Sequence, residues 1–305
     1  GEAMRTEQGI LIGTNALDRR SVFLTEKARA MHMHIIGTTG AGKSKLLEHM
    51  IRSDIKAGRG LCLLDPHGDL YKNILRYVTR RRLEDKVILI DPNDKEWAVG
   101  INYLEYDPEL RSSTSHASEV MKGIAKVFGG EETDMMPRLQ RWERNALIPL
   151  IERELTLVEL SDFVNPSSPV LRQLVLREVQ NYQVLQDWEL FENVPARDKT
   201  SYTESVLNRA NKFAAGDTVR RMFGQIKSTV NFREAMDQGK IILCNLGCDK
   251  LSGEEQKMLG VVIVDKIVQA GKSRMNIPEN KRKPFYFYID EFAYFVSEDI
   301  AKALQ

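Results

Sequence analysis

Gly37-Thr38-Thr39-Gly40-Ala41-Gly42-Lys43-Ser44 is the stretch whose reading decides the fold. Its spacing is G-x-x-x-x-G-K-[ST], a loop whose glycines let backbone N–H groups converge on a polyphosphate. The apolar run before it, Met31-His32-Met33-His34-Ile35-Ile36, predicts a buried strand. The run after it, Ser44 to Ile55, predicts a helix with Leu46, Leu47, Met50 and Ile51 on one side. That helix would bring the positive potential of its N-terminus to the loop. In such a loop Lys43 reaches the β- and γ-phosphates of ATP and the Ser44 hydroxyl coordinates Mg²⁺. Gly37, Thr38, Thr39, Gly40, Ala41, Gly42, Lys43 and Ser44 are therefore the candidate nucleotide-binding residues.

Working outward, the same alternation recurs. Before the loop, Gly9–Gly13 and Ser21–Leu24 can pair as two strands across Asn15–Arg20. After it, Leu61–Leu64 is a short apolar strand ending in Asp65-Pro66-His67-Gly68-Asp69. Tyr71–Arg82 predicts a helix, and Val87–Ile90 a buried strand ending in Asp91-Pro92-Asn93. Strands alternating with helices indicate a parallel sheet flanked by helices. From Pro108 to Met236 the pattern turns to helix periods, over Thr114–Phe128, Pro137–Glu152 with a kink expected at Pro149, Val170–Gln180 and Thr203–Phe213. The sheet resumes at Lys240–Asn245. Ser252 and Glu255 form a capping box for a helix through Ala270, and Phe285–Ile289 is a last strand, ending in Asp290-Glu291.

An apolar strand ending in Asp-Glu downstream of a phosphate loop is the Walker B arrangement. Asp290 would hold the Mg²⁺ shell and Glu291 would orient and deprotonate the attacking water, with Lys43 the other catalytic residue. In an open parallel sheet, ligands bind beyond the carboxyl ends of the strands, which puts Asp65 and His67 near the nucleotide. Two other readings of that segment stay open: a Pro/Gly turn with a helix-capping Asp, and a separate metal site of Asp65, His67 and Asp69.

The chain has 305 residues, 42% hydrophobic and 29% charged, enough for one large domain or two smaller ones. No apolar run approaches the ~20 residues that span a bilayer. Cys62 and Cys244 sit in apolar strand-like runs, and an odd cysteine count of this kind suits a reducing, cytoplasmic compartment. A net charge of +1 does not announce a nucleic-acid binder, so a DNA path has to be a local patch. Arg80-Arg81-Arg82 and Lys281-Arg282-Lys283 are either parts of one or solvated surface runs.

Together these segments resemble the HerA–FtsK superfamily of ring-forming DNA-pumping ATPases. The carriers are His34–Ser44, Leu64–Leu70, Gly100-Ile101-Asn102, Asn231–Met236 and Tyr288–Phe292. Within it the chain is most similar to the type IV secretion coupling proteins, the conjugative DNA-transfer ATPases. The resemblance implies an α/β fold: a RecA-like P-loop NTPase with a mainly parallel sheet, interrupted by an all-α insertion domain. The divisions expected are 1–107, first part of the nucleotide-binding domain, 108–236, the insertion, and 237–305, its second part. It also implies ATP and Mg²⁺ as cofactors, DNA (single-stranded ahead of duplex) as partner, and a homo-hexamer. A relaxase and secretion-pore proteins would be further partners, at the inner face of a membrane reached through an anchor or another protein. Lys45 departs from the family pattern, which often has a second hydroxyl residue after Lys-Ser. The chain ends 15 residues past Asp290, before the family's next strand, its sensor and its trans-acting arginine finger. The expectation is a fragment in which the Met31–Ile36 strand does not pair directly with Phe285–Ile289. Other readings are a secretion ATPase that does not handle DNA, a HerA-like repair helicase, and a module using nucleotide only as a structural ligand.

Overall fold

In the computed structural model, which describes residues 9–30, 42–96, 98–128, 136–290 and 295, the chain opens on an antiparallel pair, β1 (Ile10–Thr14) and β2 (Ser21–Leu24). A short helix, α1 (Glu26–Ala30), follows. The Met31–Ile36 strand, its expected pairing and the loop residues Gly37 to Ala41 lie outside the described residues. Next come α2 (Lys43–Lys56), β3 (Gly60–Asp65), α3 (Asp69–Arg80) and β4 (Val87–Ile90). A helical stretch then runs through α4 (Ser113–Phe128), α5 (Pro137–Glu152), α6 (Leu160–Val164), α7 (Pro169–Leu176), α8 (Tyr182–Glu192), α9 (Ala196–Ala215), α10 (Asp217–Phe223) and α11 (Phe232–Asp237). β5 (Ile241–Asn245), α12 (Gly253–Ser273) and β6 (Phe285–Ile289) complete it.

β4, β5, β3 and β6 form a parallel sheet in that spatial order. Every residue of β3 and β5 is buried, which is why both read as unbroken apolar runs. β6 alternates. Tyr286 and Tyr288 face the layer of α2 and α3, while Phe285, Phe287 and Ile289 face the opposite layer. β4 was expected to be buried, but it ends the described sheet and Leu89 is 40% exposed.

α2 and α3 close one face of the sheet, packing Met50, Ile51, Ile74 and Val78 on Leu61, Leu63 and Leu243. The other face, through Cys62, Leu64, Ile242 and Cys244, meets α11 and α12, and the same apolar cluster continues into the helical stretch. α4 lies against α12, where the Tyr103 hydroxyl donates to Asp265, and burial pushes the Asp265 carboxyl up to about 7. Pro149 sits inside α5, and its missing N–H frees the carbonyl of Asn145 one turn earlier. The Trp188 indole of α8 donates to that carbonyl at 2.8 Å, so the proline leaves no buried acceptor unmet and joins two helices.

Candidate functional site

The register of the sheet brings its polar residues to one edge. Asp65 pairs with Asn245, Ile90 with Cys244 and Leu64 with Ile289. Asp91, Asn245, Asp65 and Asp290 therefore stand level, one at the carboxyl end of each strand, in the order β4, β5, β3, β6. Asp290 is held there by its backbone N–H, which donates to the Leu64 carbonyl at 3.2 Å, and it is 5% exposed.

Gly42 begins α2 with φ at +92°, a left-handed conformation that glycine adopts without strain. Among the described residues no side chain caps α2, and its first turn carries no acid. Its N-terminal N–H groups, with the positive end of the helix dipole, suit an anion. Lys43 leaves this turn and reaches β6, its Nζ 3.2 Å from Asp290 Oδ1. Ser44, next along, is exposed. The structure thus brings Lys43 and Asp290 together across 247 residues of chain, at the start of a helix that offers uncapped donors. A nucleotide polyphosphate with its magnesium fits this donor set: a cation, a carboxylate and helical N–H groups. Glu291 lies outside the described residues.

The N-terminus of α3 is different. Asp65 turns back on its own loop, Oδ1 accepting from the His67 N–H and Oδ2 from the Tyr71 N–H, both at 2.9 Å. The first is an Asx turn, and the second caps the first turn of α3. The carboxylate is 1% exposed and both oxygens are engaged. His67 and Asp69 are exposed at the rim. The loop after β5 presses close: a Cβ on Gly247 would lie 2.3 Å from the His67 backbone, so only glycine passes there. Gln256 of α12 fastens the two loops, donating to the Pro66 carbonyl at 2.9 Å and to the Leu246 carbonyl at 2.5 Å. Asp65→Ala is therefore expected to release the turn and the cap together, costing about 1–2 kcal/mol. Thermal melting would show a drop of several degrees, and an unchanged melting temperature would refute the capping role.

A second tie joins α2 to β6. Arg29 of α1 grips Asp54 of α2 with both guanidinium ends, at 2.6 and 2.7 Å, and donates to the Tyr288 hydroxyl at 2.8 Å. Tyr288 donates in turn to Asp54. Arg29 lies over the Tyr286 ring at 3.6 Å, and Arg59 reaches Asp54 at 3.2 Å. Burial, with the Asp54 carboxylate beside it, holds the Tyr288 hydroxyl well above the usual phenol range, so it stays a donor. The one hint in the sequence was a lone aspartate between the buried Ile51 and Ile55, a charge that burial makes costly without a partner.

The family described as "Helicase HerA, central domain" matches residues 15–241. The chain belongs to the HerA central-domain family. No curated protein matches it. Among solved structures, this HerA-family chain superposes on the bacterial conjugative coupling protein TrwBdeltaN70 in an unbound form with TM-score 0.55 and 18% identity, covering 97% of this chain and 63% of that one. The plasmid coupling protein TrwB in complex with ADP and Mg²⁺ matches at TM-score 0.53 and 17% identity, covering 97% and 64%. VirB4 of Thermoanaerobacter pseudethanolicus matches at TM-score 0.53 and 12% identity, covering 97% and 81%. The likeness is one of fold: α/β, with the parallel sheet of RecA-like P-loop ATPases. The HerA-family chain spans less than two thirds of the length of those TrwB chains. Among the described residues, no helix is long and apolar enough to cross a membrane.

Proposed function

We propose that the chain is the ATP-hydrolysing part of a motor that translocates DNA, in conjugation or type IV secretion. The observation that carries this reading is the Lys43–Asp290 pair, 3.2 Å apart at the carboxyl edge of the sheet beside the uncapped start of α2. ATP and Mg²⁺ are the cofactors it suits. Magnesium, when bound, supplies charge neutralisation at the phosphates. Gly37 to Ser44 would enclose the phosphates. Lys43 would then exchange Asp290 for the β- and γ-phosphates, and Asp290 with Ser44 would hold the metal shell. Glu291 would take the proton of the attacking water. Asp65 would act through the loop it shapes, and His67 of that loop would approach the nucleotide.

The TrwB structure with ADP and Mg²⁺ supports the cofactor reading, and the HerA helicase family supports DNA as the partner. Single-stranded DNA is the favoured form, a homo-hexamer the working assembly, and a relaxase and secretion-pore proteins the further partners. Division into a nucleotide-binding unit split by an all-α insertion over 108–236 belongs to the same proposal. The family match equally favours a second reading, a HerA-like repair helicase. Steady-state ATP hydrolysis tests both, measured without DNA, with single-stranded DNA and with duplex, using Lys43→Ala as the blank. Stimulation by DNA is the expected result, and the preferred form separates transfer from repair. Hydrolysis indifferent to DNA would overturn the DNA motor in favour of a secretion ATPase.

A further inference from the structure

α2 and α3 lie side by side over the sheet, and the furrow between them faces away from it. The furrow is a cavity of about 450 Å³ lined by a stripe from each helix: Lys45, Glu48 and Arg52 from α2, Arg76, Tyr77 and Arg80 from α3. On each helix these residues recur at three- and four-residue steps, so the side chains converge on one line. The lining carries four cations, Lys45, Arg52, Arg76 and Arg80, against the single carboxylate of Glu48. Glu48 is itself held, 2.9 Å from Arg52 and 3.6 Å from Lys45, which leaves Arg76 and Arg80 without a carboxylate partner in the furrow. In a chain of net charge +1, this is a concentrated local field.

The floor is built rather than merely charged. Two guanidinium groups lie over the Tyr77 ring, Arg52 at 4.9 Å and Arg81 at 5.5 Å from its centre. Stacking on an aromatic face fixes a guanidinium while leaving its N–H edges outward. The Tyr77 hydroxyl and the Arg52 Nε are both buried and have no hydrogen-bond partner among the described residues. A buried donor without an acceptor is costly, so the floor of the furrow is polar as well as charged. Two features noted in the sequence find a place here: Lys45, where the phosphate-loop pattern departs from its relatives, and the Arg80-Arg81-Arg82 run.

We propose that the α2–α3 furrow binds the phosphodiester backbone of a nucleic acid without reading its bases. The chemistry favours phosphate: fixed guanidinium forks and a lysine are donors without acceptors, and they match tetrahedral oxyanions. Tyr77 is the one phenol ring in the lining and two arginines already crowd it, against four cations along the furrow, so recognition falls to the backbone. The furrow lies on the back of the helix that carries Lys43, so it is a second contact, outside the nucleotide site. The proposal rests on the DNA-motor reading for the identity of the polyanion.

Fluorescence anisotropy with a labelled single-stranded oligonucleotide, and separately with a duplex, tests it on the full chain. Arg76→Ala/Arg80→Ala removes two exposed cations whose only side-chain hydrogen bond among the described residues is a 3.5 Å contact from Arg76 to Asn73, and melting curves check that the fold is kept. Each lost phosphate contact lowers the slope of log K against log salt by about 0.7 for a single strand and 0.9 for duplex. At about 0.1 M salt the double variant should bind a single strand roughly 20-fold more weakly. Arg76→Lys/Arg80→Lys should restore most of the slope, and Glu48→Gln should tighten binding. Wild-type binding with an unaltered affinity and slope in the alanine variant would overturn the furrow and leave the DNA motor standing. A change in self-association alone would assign the furrow to contact between copies and also overturn it. A wild-type chain that binds neither form of DNA would remove the motor reading and this inference together.

Discussion

Lys43→Ala and Glu291→Gln are expected to separate binding from chemistry. Without Lys43, ATP hydrolysis should fall to the background and nucleotide affinity should fall with it, because the cation serves the ground state as well as the transition state. Losing a charge-stabilising group of this kind costs about 10²–10³ in rate. The variant also leaves Asp290, 5% exposed, without the ammonium group that stands 3.2 Å away in the wild type. Glu291→Gln should behave differently. An amide cannot accept the proton of the attacking water, so turnover should drop by about 10²–10⁴. Binding should be kept, since the amide preserves the shape and removes one negative charge near the phosphates. The measurements are steady-state hydrolysis and the equilibrium binding of a fluorescent ATP analogue. Unchanged turnover in Glu291→Gln would remove that residue from the mechanism, and normal ATP binding in Lys43→Ala would contradict the proposed use of the Lys43–Asp290 pair.

The second large effect is expected at Asp54, far from the phosphates. Asp54 and Lys43 are 11 residues apart, close to three helical turns, so both lie on the same face of α2. Tyr288 lies in β6 and Asp290 directly follows its last residue, two positions on, so the two point to the same side. α2 is thus pinned to β6 at two points, Lys43 to Asp290 and Asp54 to Tyr288. Asp54→Ala removes the second pin and leaves Arg29, only 4% exposed, without its carboxylate. Breaking one side of a buried ion pair costs about 3–5 kcal/mol. A thermal melt should show a loss of roughly 10 °C, and ATP binding should weaken because α2 is freer to move against Asp290. Replacing the set with apolar residues, Arg29→Met with Asp54→Leu, should recover most of the stability, since no charge is then left buried. Melting unchanged in Asp54→Ala would show that the network is ornamental.

Most of the elements were legible in the sequence because the signals are local. Unbroken apolar runs at Leu61–Leu64 and Ile241–Cys244 became strands buried on both faces. Ser252 and Glu255 form the capping box they spell, and α12 follows from it. The change of period after Pro108 marked a stretch in which only helices occur among the described residues. Errors came at edges and ends. Val87–Ile90 reads as buried, but it lies at the end of the described sheet, where one flank has no strand to cover it. α7 stops at Leu176, short of the expected Gln180, and α9 begins at Ala196, ahead of the expected Thr203. Both segments are mostly exposed, so no apolar period marks where either helix begins or stops.

The sequence by itself determined that a phosphate loop precedes a parallel sheet, and that Lys43, Asp65 and Asp290 sit at turns where an N-terminal or strand-end carboxylate and cation have a use. Spacing and period suffice for that, because they act within a few residues. Only the tertiary structure decided the strand order, in which β5 enters between β4 and β3 after a long helical excursion. That order is chosen by which apolar faces fit, and no single segment carries the choice. The same holds for the Arg29–Asp54–Tyr288 set, whose members are 25 and 234 residues apart in the chain, and for the engagement of Asp65 by its own loop. The Lys43–Asp290 contact follows the same reason: charges remote in sequence meet only once the sheet has set the two elements against each other.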